Sequence, residues 1–158
     1  MTEFVVREAS TAEIRPLRLD VLRRGMENRT VDFDGDDEDG TVHLVVVHSD
    51  GRIVATSTWL RRDTPHAPGR AAVQLRGMAT DRALQSTGLG GRLLRHGMAT
   101  VRADGADVVW ANARDAALDF YLRHGFRVVG DGFIESVTQL PHHVVIADLA
   151  EAVSTVHP

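Results

Sequence analysis

A glycine-rich turn that leads directly into an apolar helix constrains this chain more than any other stretch. The turn and the start of the helix read Gln85-Ser86-Thr87-Gly88-Leu89-Gly90-Gly91-Arg92-Leu93-Leu94. Apolar residues then recur at helical spacing as far as Val101, which predicts a helix over about 88–103 with Thr87 or Ser86 as its cap. Interior glycines cost a helix about 0.8 to 1 kcal/mol each. Their presence in the first turn therefore needs a compensating role.

Bare backbone is the role that these glycines suit best. Without Cβ atoms, Gly88, Gly90 and Gly91 let consecutive N–H groups approach an anion at the positive end of the helix, as a pyrophosphate requires. Close packing of the helix start is the alternative role. Two phosphate-binding patterns do not match the sequence. A Walker loop needs Lys-Ser/Thr where Arg92-Leu93 stands, and a dinucleotide fingerprint needs a small residue at position 93.

The composition is that of one α/β domain. With 158 residues, 43% of them hydrophobic, the chain can build a proper core, so we expect a single domain over 1–149 and a tail over 150–158. The absence of cysteine excludes a thiolate nucleophile and zinc–thiolate sites. A net charge of −4 without a basic run argues against nucleic acid as a partner. No signal h-region or membrane-length apolar run is evident, so we expect a cytoplasmic protein that binds no membrane.

Strands and helices can be placed around the glycine turn. Hydrophobic patterns predict strands over 4–6, 42–47, 53–60, 71–80, 107–112, 126–129 and 142–149, with helices over about 11–25, 88–103 and 116–124. Ser10-Thr11-Ala12-Glu13 is a capping box for the first helix, and Asp115 can cap the third. Gly77 inside a strand indicates a bulge or a close backbone approach. The helix between the strands at 71–80 and 107–112 predicts a right-handed parallel crossover.

Two charged stretches each allow a structural and a functional interpretation. Basic residues are concentrated in the second half of helix one, where they complement the helix macrodipole. Alternatively, Arg18 or Arg23 faces a cleft that binds an acceptor substrate. Residues 32–40 are acidic but lack the glycine and glutamate that a calcium loop needs at its sixth and twelfth places. This segment is therefore a solvated loop, or a surface that attracts a cationic acceptor.

The segment 110–126 carries the strongest motif. It reads Trp110-Ala111-Asn112-Ala113-Arg114-Asp115-Ala116-Ala117-Leu118-Asp119-Phe120-Tyr121-Leu122-Arg123-His124-Gly125-Phe126. It is similar to the pattern of the GNAT N-acetyltransferase superfamily, in which a strand, an Asn and a short helix with Ala and Tyr precede Gly-Phe. Gln85, Gly88 and Gly90 fit the Gln/Arg-x-x-Gly-x-Gly/Ala pyrophosphate motif of the same superfamily. Both motifs occur in the family's order. The resemblance covers most of residues 11–149 and is to a subfamily of unassigned substrate.

The resemblance implies a fold and a donor site. The fold is α/β, or α+β by some schemes, with a mixed, mostly antiparallel central sheet, a splayed parallel pair and flanking helices. Acetyl-CoA is the implied cosubstrate, and no metal is implied. Its diphosphate would bind the glycine loop and its pantetheine arm the two splayed strands. The residues implied for coenzyme A are Met78, Ala79, Thr80, Gln85, Ser86, Thr87, Gly88, Leu89, Gly90, Gly91 and Asn112.

The implied reaction is direct attack on acetyl-CoA by a primary amine of a small molecule or peptide. Tyr121 is the implied catalytic acid for the departing thiolate, since a phenol near pKa 10 matches a thiol near 8.5. The alternative for Tyr121 is a core residue whose hydroxyl binds a backbone carbonyl. The sequence does not decide the general base, for which His142, His143, Glu135, His43 and a water chain are candidates. His142 and His143 are adjacent on a strand, so they cannot form a paired metal site.

A second class of function stays open at this point. The chain can be a non-catalytic module that binds acyl-CoA as a sensor or an assembly subunit. The absence of a glutamate from the strand at 74–80 favours that module, whereas Tyr121 favours the enzyme. A dinucleotide-dependent oxidoreductase is disfavoured because the third glycine is missing. The resemblance also allows a homodimer, and it does not distinguish acetyl from longer acyl groups.

Overall fold

The structure is a computed structural model, and it describes residues 3–149. This part of the chain contains, in order, β1 Phe4–Ala9, α1 Thr11–Leu22, β2 Val42–His48, β3 Ile53–Arg61, β4 Ala72–Thr80, α2 Leu89–Ala103, β5 Val108–Arg114, α3 Leu118–Arg123, β6 Arg127–Ile134 and β7 Pro141–Asp148. Short 3-10 turns, Arg82–Leu84 and Asp115–Ala117, precede α2 and α3. The tail predicted over 150–158 lies outside the described residues.

The strands follow one another in the hydrogen-bonded order β1-β2-β3-β4-β5-β7-β6. The pairs β1–β2, β2–β3, β5–β7 and β6–β7 are antiparallel, and β4–β5 is parallel. A parallel pair needs a long crossover connection, which α2 supplies here. The predicted fold class, a mixed and mostly antiparallel sheet with one parallel pair and flanking helices, is therefore confirmed.

The described residues fall into two compact units, one of 3–60 with 76–97 and the other of 61–75 with 98–149. In the first unit, the predicted capping box starts α1: the Ser10 hydroxyl accepts from Glu13 N, and the Glu13 carboxylate accepts from Ser10 N. The helix ends at Leu22, three residues before the predicted Gly25. The single domain over 1–149 stays a prediction.

Trp59 of β3 lies directly against α2 in the first unit. Its side chain is almost completely buried, at 1% exposure. A Cβ atom placed on Gly97 of α2 would lie only 2.0 Å from the indole ring. Only a glycine leaves room for the ring at this position, which explains why α2 contains a glycine in its interior despite the cost in helix propensity.

The second unit is built around β5. This strand pairs with β4 at Ala72↔Val108, Val73↔Val109 and Gln74↔Trp110, and with β7 along its whole length. A hydrophobic cluster of this unit consists of Ala67, Ala72, Val108 and Ile146, with Trp110 and Val129 packed against it. β6 extends to Ile134, five residues beyond the end of the strand predicted over 126–129. An irregularity in the pairing between Val129 and Phe133 interrupts the strand's alternating pattern.

Candidate active site

The glycine turn is an exposed loop that is closed by its own hydrogen bonds. Gln85 Nε2 donates to the carbonyl of Thr80 at 3.2 Å, and the Thr87 hydroxyl donates to the carbonyl of Leu84. Residues 85–88 are exposed. Thr87 and Ser86 were the predicted caps of α2, but the helix begins at Leu89, directly after Gly88, and the Thr87 hydroxyl donates to the carbonyl of Leu84.

The first backbone N–H groups of α2 are not used in the helix's own hydrogen bonds. The first helical hydrogen bond runs from Arg92 N to Gly88 O at 3.1 Å, so four N–H groups, those of residues 88–91, stand ahead of it. Across residues 3–149, the structure records no acceptor for any of these four groups. Gly88 is exposed and Gly90 half-buried, whereas Leu89 and Gly91 are buried. The positive end of a helix with unpaired amides is a ready site for an anion.

Two residues of the loop adopt the left-handed conformation. Gly88 has φ +92°, and a Cβ atom placed there would meet nothing within 4 Å. The position therefore requires glycine for its backbone and lies beside open space. Ser86 has φ +67°, which a side chain rarely adopts and which costs on the order of 1–3 kcal/mol. Such strain is concentrated at functional sites in proteins.

The other residues of the first unit that the sequence predicts to bind coenzyme A lie at the end of β4. Ala79 is buried, whereas Met78 and Thr80 are half-buried. The residue before them, Gly77, has φ +62° in the middle of a strand. A Cβ atom on Gly77 would lie 3.0 to 3.2 Å from Arg18 and Phe33, so the close approach predicted for this glycine is confirmed.

Asn112 lies in the second unit, on β5 opposite Val144 of β7. It is exposed, and no hydrogen bond of its side chain is recorded among the described residues. Within this unit, residues 108–110 of β5 pair with strands on both sides, whereas residues 111–114 pair with β7 alone. The second half of β5 thus keeps one backbone edge unpaired within its unit.

Tyr121 lies on α3 in the same unit and is 7% exposed. Its ring makes edge-to-face contacts with Phe120 and Phe126, at 5.2 and 5.3 Å between centroids. Burial raises the pKa of Tyr121 to about 12. The structure records no hydrogen-bond partner for its hydroxyl among residues 3–149, so the backbone-carbonyl contact considered from the sequence is not recorded there.

Each candidate general base is held by hydrogen bonds. Nδ1 of His142 is hydrogen-bonded to Leu140 O at 2.9 Å, and Nδ1 of His143 is hydrogen-bonded to Asp115 Oδ1 at 2.7 Å. The Glu135 carboxylate accepts from the N–H groups of residues 137 and 138; although burial opposes it, these bonds lower the pKa of Glu135. His43 is buried, which lowers its pKa, and bonds Thr58 Oγ1 at 2.7 Å and Asp36 O at 3.0 Å.

Two sequence-based interpretations need correction. Asp115 does not cap α3, because its carboxylate binds His143 and the cap residue is Ala117, without a side-chain bond. Arg18 neither complements a macrodipole nor faces a cleft: it is fully buried and paired with Asp36. Sequence reasoning missed this pair. The available signal was an arginine that directly follows Leu17 on the apolar stripe of α1.

The described residues also limit other kinds of site. Within 3–149, no three histidine or carboxylate side chains come together in a way that could hold a metal ion. None of the helices in this range combines the length and the apolar character that a membrane span requires.

The chain is similar to known proteins in sequence and in structure. A curated relative, the uncharacterized N-acetyltransferase YitI of Bacillus subtilis (strain 168), is 25% identical over 141 residues, which span 89% of this chain and 93% of that protein. An acyl-CoA N-acyltransferase from Pseudomonas aeruginosa has a similar structure, with a TM-score of 0.73 at 21% identity, over 91% of this chain and 99% of that chain. An aminoglycoside 6'-N-acetyltransferase complexed with coenzyme A gives 0.70 at 11% identity, over 92% and 97% of the two chains.

The family itself is shown by the sequence. Residues 40–128, more than half of the chain, match the family model described as the acetyltransferase (GNAT) domain. This range contains both the glycine turn and the segment with Tyr121. The chain therefore belongs to the GNAT acetyltransferase family and is an acyltransferase whose substrate is unassigned.

Proposed function

We propose that the protein transfers an acetyl group from acetyl-CoA to a primary amine of a small molecule or peptide by direct attack. The observation that carries this proposal is the run of unpartnered N–H groups at the start of α2 beside the open space at Gly88. The likeness to an aminoglycoside acetyltransferase complexed with coenzyme A supports it further. A single domain over 1–149 and a cytoplasmic location remain parts of the proposal.

The residues present fit a diphosphate. The N–H groups of residues 88–91 would donate to its oxygens, and the positive end of α2 would favour its charge. The backbone of Met78, Ala79 and Thr80 and the amide of Asn112 would hold the pantetheine arm. When bound, acetyl-CoA supplies an activated thioester carbonyl. The protein's part is to orient that carbonyl and to donate a hydrogen bond to its oxygen, which is typically worth about 2.7 to 4 kcal/mol per donor.

Tyr121 would assist the departing sulfur. A pKa of about 12 keeps its phenol protonated throughout the physiological range. The gap to a thiol near 8.5 is then about 3.5 units, against about 1.5 for an ordinary phenol. The phenol would therefore act by donating a hydrogen bond to the developing thiolate while it keeps its own proton. The general base is not assigned: His142 and His143 hydrogen-bond through Nδ1, which leaves Nε2 of each ring to accept a proton, and a water chain is the alternative.

A non-catalytic acyl-CoA module is the second candidate. It is favoured by one observation: β4, Ala72–Thr80, carries no glutamate that could serve as a general base. The Tyr121 hydroxyl, which has no recorded partner among residues 3–149, favours the enzyme instead. Release of free thiol from acetyl-CoA in the presence of a panel of primary amines separates the two. If the protein binds acetyl-CoA but no amine of the panel causes release of free thiol, the result supports the module.

A pair of glycine variants tests the diphosphate site. Gly88→Leu and Gly105→Leu both place a side chain at a left-handed position, with φ +92° and +100°, and both have open space at Cβ. The backbone strain is thus matched, and the two variants should lose similar thermal stability. Only Gly88→Leu should lose affinity for coenzyme A, by at least about tenfold in calorimetric titration. Equal affinity in the two variants would contradict the diphosphate role of the turn.

A further inference from the structure

A buried ion pair in the first unit joins helix, loop and strand. The guanidinium of Arg18 binds Asp36 through two bonds, Nη1 to Oδ2 at 2.7 Å and Nη2 to Oδ1 at 3.0 Å. Nη1 also donates to Val31 O, and Nη2 to Thr58 Oγ1, both at 2.8 Å. Both side chains are shielded from water, at 0% and 5% exposure. A bidentate pair of this kind fixes geometry, whereas its net effect on stability is small or uncertain in sign.

The same guanidinium packs against an aromatic ring and the backbone of β4. Its Cζ lies 4.1 Å from the centroid of the Phe33 ring. A Cβ atom on Gly77 would lie 3.0 Å from Arg18 Nε and 3.2 Å from both Nη2 and the Phe33 ring. Arg18 Nε is enclosed without a hydrogen-bond partner among the described residues. A donor in that state is destabilising, so the other contacts of Arg18 must hold it against Gly77.

Gly77 itself is in an unusual conformation for a strand. Its φ of +62° departs from the extended backbone that a strand normally has. The atoms that occupy the space beside its Cα belong to Arg18 and Phe33. The side chains of Arg18 and Phe33 therefore limit the space available to the backbone of β4 at Gly77. The next three residues are Met78, Ala79 and Thr80, to which the proposed function gives the pantetheine arm.

We infer that Arg18 is a positioning residue, which together with Asp36 and Phe33 holds the turn of β4 at Gly77 and thereby directs the backbone N–H and C=O groups of residues 78–80. This inference rests on the proposed function for its catalytic consequence. In the proposed function, the diphosphate binds at residues 88–91 and not at residues 78–80. Disturbing Arg18 should therefore misplace the thioester and leave the affinity for coenzyme A largely intact.

The experiment compares two arginines of the same helix. Arg18→Lys keeps the charge but loses the planar fork that binds Asp36 and stacks on Phe33. Arg15→Lys is the matched control, because Arg15 also binds an aspartate of the following loop, Asp32 at 2.7 Å, but is exposed. A misplacement of about 1 Å can cost about 10²-fold in rate. We expect kcat to fall by at least about tenfold in Arg18→Lys alone, with the Kd for coenzyme A changed less than about threefold.

A measurement without turnover accompanies the kinetics. In the ligand-free protein, the backbone amide chemical shifts of residues 78–80 should change in Arg18→Lys and stay the same in Arg15→Lys. Phe33→Leu, which removes the ring and keeps the ion pair, should shift the same amides and serves as the test if Arg18→Lys fails to fold. Unchanged amide shifts together with an unchanged kcat in the folded variants would overturn the inference. An inactive wild-type protein would instead overturn the proposed function, and the amide shifts would still decide the positioning role.

Discussion

Replacing Gly97 by alanine tests how α2 is held against β3. The methyl carbon would lie 2.0, 2.3 and 2.7 Å from three atoms of the Trp59 indole. Carbon atoms pack best at about 3.5 to 4.0 Å, so roughly 1.5 Å of room is missing. The ring cannot move into solvent because Trp59 is only 1% exposed.

Two opposing effects set the size of the change. Alanine favours the helix over glycine by about 0.8 to 1 kcal/mol. Overpacking of a well-packed core typically costs about 1 to 3 kcal/mol, and a shortfall this large belongs at the upper end. We therefore expect a net loss of about 2 kcal/mol in the free energy of unfolding, which lowers Tm by about 4 to 8 °C in a chain of this length.

A double-mutant cycle isolates the contact. Trp59→Phe removes the three indole atoms that the methyl group would meet, so Gly97→Ala should be neutral or stabilising in that background. Denaturant unfolding of the four proteins measures the coupling. Affinity for coenzyme A should follow the same pattern, since a displaced α2 carries its first N–H groups with it. If Gly97→Ala is as stable as the parent protein while Trp59 is present, the packing described for this helix is wrong.

Two further predictions concern titratable groups. Tyr121→Phe should lower kcat by about 10² to 10⁴ without a comparable change in the Kd for coenzyme A, measured by thiol release and calorimetry. Because the pKa of Tyr121 is about 12, the activity should show no loss from this group up to about pH 11; a fall near pH 10 that is absent from the Phe variant would contradict this. Burial lowers the pKa of His43, so the unfolded chain binds this proton more readily than the folded protein. The stability that neutral His43 contributes is complete above about pH 6.5 and decreases as the pH falls below that value. Unfolding measured from pH 7.5 to 5 should show this slope in the parent and not in His43→Gln; the same slope in both proteins would exclude His43 as its source.

Features determined by neighbours in sequence could be predicted. The capping box at Ser10 lies within four residues, and the glycine turn and the Tyr121 segment each read as one continuous motif. The close approach at Gly77 was also predictable, because a glycine inside a strand usually marks a bulge or a close backbone contact. These local signals were sufficient for the fold class and for the family.

Features determined by distant partners could not be predicted. Asp115 has the composition of a helix cap, but the position of His143, 28 residues later, decides where its carboxylate binds. Arg18 meets Asp36 across an irregular loop, for which the sequence has no periodicity to follow. In β6, Gly130 and Gly132 interrupt the alternation of side chains, so the strand looked shorter than it is.

The carbonyl of Asp36 decides which nitrogen of neutral His43 carries the proton. A carbonyl oxygen can only accept, so Nε2 bears the hydrogen and donates to Asp36 O. Nδ1 then accepts from the hydroxyl of Thr58, its cross-strand neighbour, whose oxygen in turn accepts from Arg18 Nη2. This tautomer has its lone pair already occupied by a hydroxyl. His43 consequently links strands β2 and β3 to the Arg18–Asp36 pair through hydrogen bonds. It has no lone pair left with which to deprotonate an incoming amine.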